Sequence, residues 1–279
     1  MNTKKPQYEI TIIGAGKVGT SFASLFSKHH QVNLIGRSIK EKQSLITDAD
    51  FILITTNDGA IEAVCNAIKD YIRPNTVVSH CSGALTNSIL NSAKQKGAYI
   101  ASSHPLNTFP SLEAALTTFR DNQHGTYLYC EGDKLALKLI HEVFEVSGFK
   151  IVDIPSEAKI AYHTACVFAC NYLSALMDLS LETAALQGID KTQFWQAIQP
   201  LIQATLSNIT QHGTSAALSG PIARGDGQTV SQHIDFLSEK DQSIGEAYLL
   251  LAEHALKLAT QQGKLSEQNL SQLKEIIKQ

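Results

Sequence analysis

The 279-residue chain contains no Cys-x-x-Cys pair; its five cysteines, Cys65, Cys81, Cys130, Cys166 and Cys170, are odd in number and scattered. That spacing argues against a disulfide framework and for reduced thiols in a cytoplasmic protein. Cys166 and Cys170, four apart on one helical face, read as packing residues. No cluster of Lys and Arg is present, and a formal charge of −3 argues against a protein that coats nucleic acid. The amino-terminal MNTKKPQYE holds no apolar signal segment, and no run approaches the roughly 18 apolar residues of a membrane span. Neither His-x-x-x-His nor an acidic pair stands at metal spacing, so no metal is expected. Repeats and low-complexity tails are also missing.

What the chain does have is core. With 43% hydrophobic and 18% charged residues it is a globular protein, long enough for one large domain or two ordinary ones. Apolar runs at 9–13, 32–35, 51–55, 76–79, 98–102, 126–130 and 150–154 alternate with segments of helical spacing at 17–29, 59–71, 84–96 and 133–147. Such alternation predicts an α/β domain with a parallel sheet and crossover helices. Beyond Pro155 the sequence favours helix almost throughout, interrupted by GTSAALSGPIARGDGQT. The expectation is a Rossmann-type sheet domain over 1–154 and an all-helical domain over 155–279.

Directly after the first apolar run, Gly14, Gly16 and Gly19 form G-x-G-x-x-G, with Ala15, Lys17 and Val18 between them. The first glycine permits the turn and the second lets a pyrophosphate approach the backbone. The third lets helix and strand pack closely, and the helix amino end faces the anion. A dinucleotide site is therefore expected. A site for NAD normally adds an acid at the end of the second strand, for the ribose 2′-hydroxyl. Here VNLIGRS ends instead in Arg37 and Ser38, with Lys40 and Lys42 nearby. A guanidinium binds a 2′-phosphate that an acid would repel, so the expected cofactor is NADP(H).

The carboxyl ends of later strands should face the nicotinamide. Thr55, Thr56 and Asn57 offer small polar groups there, Asp58 is either a helix cap or a binding group, and His80 and Ser82 fall where the nicotinamide amide or substrate would lie. His104, in a stretch read as loop, is a substrate-binding candidate. In KIAYHTACVFACNYLSAL, Lys159 and His163 share a helical face, and Asn171 lies about 80° around from His163 on a regular helix. Polar groups buried without partners are costly, so these residues in an otherwise apolar stretch either find partners among their neighbours or line a site. Lys159 or His163 could polarise a carbonyl and supply its proton, while Asn171 orients the substrate. In SGPIARGDGQT, Arg224 with Asp226 puts a carboxylate binder on a constrained loop.

Taken together, GAGKVG, SHCSGAL, HPL..F, the K...H.......N helix and GPIARGD resemble the Rossmann-like proteins with a DUF2520 carboxyl-terminal domain. This resemblance covers nearly the whole chain, and GPIARGD is its most specific part. It implies kinship with the 6-phosphogluconate-dehydrogenase-like reductases, which include ketopantoate reductase and pyrroline-5-carboxylate reductase. By the resemblance, Asn171 matches the second asparagine of the ketopantoate reductase helix, and Ser219 a substrate-binding serine. The glutamate those enzymes use in the same loop has no counterpart. The implied activity is NADPH-dependent reduction of a small 2-oxo acid, with 2-dehydropantoate foremost, by a homodimer paired through its helical domain. An imine reductase of the pyrroline-5-carboxylate type and a non-catalytic NADP-binding sensor are the alternatives.

Overall fold

The computed structural model describes residues 7–36, 43–109, 113 and 125–278. Its contacts divide the chain into two compact units, Met1–Val167 and Phe168–Gln279.

In the first unit, among the described residues, seven strands form one sheet. They are β1 (Glu9–Ile13), β2 (Gln31–Ile35), β3 (Phe51–Ile54), β4 (Val77–His80), β5 (Tyr99–Pro105), β6 (Tyr127–Gly132) and β7 (Lys150–Asp153), in the order β2-β1-β3-β4-β5-β6-β7. Each expected apolar run became a strand, because runs of four to seven apolar, β-branched residues suit a sheet covered on both faces. The sheet is parallel, as the alternation of runs predicted, except at β5–β6, which run antiparallel.

Alternation along the strands sorts side chains between the two faces. Phe51 and Leu53 join Ile10 and Ile12 beneath α1 (Lys17–Phe26) and α5 (Lys134–Val146), where Phe22, Phe26, Phe144 and Phe149 form an aromatic cluster. Phe22 and Phe26 stack at 5.3 Å, and Phe144 meets Phe26 edge-on at 4.9 Å. Ile52 and Ile54 face the other way, with Ile13 and Ile35. They pack beneath α2 (Gln43–Thr47), α3 (Ile61–Ile68) and α4 (Asn91–Lys94). Parallel register sets Ile13, Ile54 and His80, the last residues of β1, β3 and β4, level with Ser102 in the middle of β5.

The helix α6 (Lys159–Cys166) belongs to this unit, although the composition already changes at Pro155. A π-turn, Val167–Asn171, follows it, and the second unit continues with α7 (Tyr172–Ala185), α8 (Lys191–Ala217), α9 (Pro221–Arg224), α10 (Gly227–Lys240), α11 (Gln242–Gln262) and α12 (Glu267–Ile277). The core of this unit, with Val230, Ala252, Leu256, Ala259 and Leu273, lies among α9 to α12. By contrast α7 and α8 bury no residue.

The continuous helical run Ser156–Ala185, with mean hydropathy 1.3 in its most apolar window, is long and apolar enough to cross a membrane by length and composition. The expectation that no segment reaches that size is corrected here. The residues that interrupt the run, such as Thr164, Asn171 and Ser174, are uncharged, and the apolar residues around them outweigh them in such a window.

Candidate active site

The glycine turn sits where the sheet order reverses, because β1 has β2 on one side and β3 on the other. Ligands of open α/β sheets bind at such a crevice. Gly14 takes φ +123, and a Cβ there would lie 2.8 Å from the Thr55 carbonyl carbon. A Cβ on Gly19 would fall 1.9 Å from Gly14 O. Gly16 differs: nothing lies within 4 Å of its Cβ position. It forms the amino cap of α1, whose first N–H groups have no partner within the helix. Thr55 is spent on the turn, donating to Gly14 O at 2.8 Å. The Thr56 hydroxyl oxygen is buried without a hydrogen-bond partner. Ala15, Lys17 and Asn57 are exposed beside the turn, and Val18 packs on the aromatic core. Open space over Gly16, a helix amino end and an unpartnered hydroxyl together fit a dinucleotide. Arg37 and Ser38 lie outside the described residues.

At the end of β4 the local sequence builds its own turn. His80, fully buried, accepts from the Ser82 N–H through Nδ1 at 3.1 Å, so its hydrogen is on Nε2, donated to Thr86 O at 3.1 Å. Burial pulls its pKa down to about 4 and keeps it neutral. Ser82 donates to Asp58 Oδ2 at 2.7 Å and accepts from the N–H groups of Ala84 and Leu85 at 3.2 and 3.0 Å. Both side chains thus hold loop 80–86 in shape, with Gly83 at its centre. The Asp58 carboxylate serves Ser82 rather than a helix cap.

Lys159, 1% exposed, is among the largest fully buried side chains. Its Nζ donates to Ser102 Oγ, at the level of the strand ends. Burial pulls its pKa down, and Glu131 is the foremost influence opposing that. Glu131, also 1% exposed, accepts from Asn87 N at 2.6 Å and from Ser156 Oγ at 2.6 Å.

His104 lies in β5, opposite Tyr129 of β6, and not in a loop as expected; the Pro105 that suggested a loop is the last residue of the strand. Its Nδ1 bonds Tyr162 Oη at 2.9 Å, and Tyr162 stacks on Tyr129 at 4.2 Å. Burial, reinforced by the Lys159 and His163 charges, pulls the His104 pKa down to about 4. Burial likewise raises that of the Tyr162 phenol. The rings of His104 and His163 stand perpendicular at 5.8 Å. His163 Nδ1 is buried without a partner, and a Cβ on Gly83 would lie 2.4 Å from it and 3.0 Å from His104 Nε2. Two imidazole nitrogens therefore converge on the one residue of the loop that lacks a side chain.

The first unit thus brings together Lys159, His163, His104, His80 and Ser82. Of the other expected residues, Asn171, Ser219, Arg224 and Asp226 belong to the second. Asn171 is exposed at the end of the π-turn, whose wider winding changes the angle calculated for a regular helix. Ser219 and Arg224 are exposed. Asp226 caps α10, accepting from Thr229 Oγ1 at 2.7 Å and Thr229 N at 3.1 Å. Those bonds, with Arg224 nearby, hold its carboxyl below the usual range. Among the described residues no three His, Cys, Asp or Glu side chains are grouped to hold a metal.

Ser102, Glu131 and Tyr162 were missed from sequence. The available signals were a serine pair ending an apolar run and an acid directly after the run YLYC.

Comparisons with known proteins agree with this fold. The family described as a domain of unknown function, DUF2520, matches residues 126–255, a stretch that holds Glu131, Lys159 and His163. No curated protein matches the sequence. Among solved structures, a Thermotoga maritima protein is similar at 27% identity and TM-score 0.71, covering 91% of this chain and 100% of its own. A Bacteroides fragilis protein, provisionally named an NADP oxidoreductase, is similar at 19% identity and TM-score 0.69, covering 91% and 100%. The pyrroline carboxylate reductase of Plasmodium falciparum, solved with NADP bound, is similar at 13% identity and TM-score 0.57, covering 90% and 98%. The chain therefore has the Rossmann-type fold of these proteins, followed by a helical region.

Proposed function

We propose that the protein is an NADPH-dependent reductase of a small 2-oxo acid. The observation that carries this reading is Lys159, a buried lysine bonded to Ser102, which is level with the carboxyl ends of β1, β3 and β4, the end of the sheet that also bears the glycine turn. When bound, the reduced nicotinamide would supply a hydride. The amino end of α1 and the open backbone at Gly16 would hold its pyrophosphate, and Arg37 with Ser38 its 2′-phosphate. Lys159 would polarise the substrate carbonyl and return a proton to its oxygen. His163, whose Nδ1 has no internal partner, is the second candidate donor. By family resemblance the first substrate to test is 2-dehydropantoate.

The experiment is a titration with NADPH and NADH, followed by absorbance of the reduced nicotinamide after 2-dehydropantoate is added. Loss with NADPH supports the reading. NADPH binding without loss on any 2-oxo acid removes it.

One observation favours a second reading. The Plasmodium falciparum pyrroline carboxylate reductase shares the fold over 90% of this chain. Turnover on cyclic imines but not on 2-oxo acids would identify an imine reductase, which needs less help from a lysine because an iminium is already charged.

We also propose a homodimer. Neither α7 nor α8 buries a residue within the chain, and Leu176, Trp195, Leu201, Leu206 and Ile209 are exposed along them. Light scattering at a monomer's mass would refute it.

A further inference from the structure

We propose that Glu131 is the positioning residue and counter-charge of Lys159, the carboxylate that keeps this lysine an ammonium ion where it meets Ser102. The geometry stands by itself; only its meaning for turnover rests on the reductase reading. Glu131 and Ser102 are directly opposed residues of the antiparallel pair β6 and β5, so their side chains share one face of the sheet. Ser102 receives Lys159 Nζ. The oxygens of Glu131 are held by the Asn87 N–H and the Ser156 hydroxyl. Both donors are neutral, so they fix the carboxylate's place and leave its charge to be balanced.

The other titratable groups around Lys159 do not supply that balance. The Cys81 thiol is pushed up to about 12 by burial, and that of Cys130 also lies well above its usual value, so both stay neutral. The imidazoles of His80 and His104 are neutral as well. Asp58 is exposed and engaged by Ser82. A buried charge without a partner is costly, and burial by itself favours the neutral amine form of Lys159. The distinction decides chemistry. A buried amine is a nucleophile for carbonyls, whereas an ammonium ion polarises an oxygen and gives up a proton.

The test is NMR of full-length protein labelled with [6-¹³C]lysine, following the Lys159 signal with pH and assigning it by its loss in Lys159→Met. In Glu131→Gln the Lys159 midpoint should fall by about one pH unit or more, with a melting curve recorded to establish that the variant is folded. An unchanged midpoint in folded Glu131→Gln overturns the proposal. If that variant does not fold, Glu131→Asp decides, since it keeps the charge and withdraws it by one methylene. A midpoint below wild type supports the proposal and an unchanged one overturns it. These readouts need neither cofactor nor substrate, so an inactive protein with the expected shift would refute the reductase reading alone.

Discussion

Thr55 donates its hydroxyl hydrogen to the Gly14 carbonyl at 2.8 Å, and a Cβ on Gly19 would fall 2.4 Å from that same hydroxyl. Strand end, turn and helix are thus closed on one another with no room to spare. Gly19→Ala should destabilise the protein by about 3 kcal/mol, seen as a lower melting temperature. Gly16→Ala should melt like wild type yet bind NADPH roughly tenfold more weakly, because its methyl group enters only the space expected for the pyrophosphate. Equal melting and equal affinity in Gly16→Ala would remove the turn as a cofactor site.

Lys159→Met should lower turnover by about 100-fold or more and leave NADPH affinity near wild type. His163→Ala, measured beside it, separates the two candidate donors. If neither variant loses turnover under steady-state conditions, the proton comes from elsewhere.

Arg37→Ala should weaken NADPH binding by roughly 10- to 100-fold and leave NADH binding unchanged. Equal losses for both cofactors would mean that Arg37 does not meet a phosphate. Fluorescence titration measures this directly.

His80 and His104 make stability depend on pH. Their folded pKa values, about 4, lie below the ordinary 6.5. Between those values the unfolded chain therefore binds more protons than the folded one, and stability rises with pH. The contribution is complete above about pH 6.5 and is lost as pH falls toward 4, on the order of 3 kcal/mol for each histidine. Denaturant unfolding across that range should show the slope, and His80→Gln should reduce it. A slope that His80→Gln leaves unchanged would contradict the tautomer and burial assigned to this ring.

The strands were legible because each is a compact apolar run, and the dinucleotide turn because its glycines stand at fixed spacing beside the first of them. Lys159 and His163 were legible as polar residues in an apolar helix. Direction was not: the β5–β6 reversal leaves no mark, since a strand has the same periodicity whichever way it runs. Nor was the role of His80, because only the turn shows both its nitrogens engaged. Ser102 and Glu131 are unremarkable in the chain and meet only through strand pairing.

That pairing also sets a tolerance on the chain. Ser156 and Lys159, three residues apart, engage Glu131 and Ser102, the two halves of a single rung of the sheet. The entry to α6 works as a two-pronged plug cut to one socket. One residue added between Asp153 and Ser156, where the chain is extended, would push both prongs along by up to about 3.5 Å and withdraw them together. The short link after β7 is therefore a ruler, and its length is constrained even where its side chains are not.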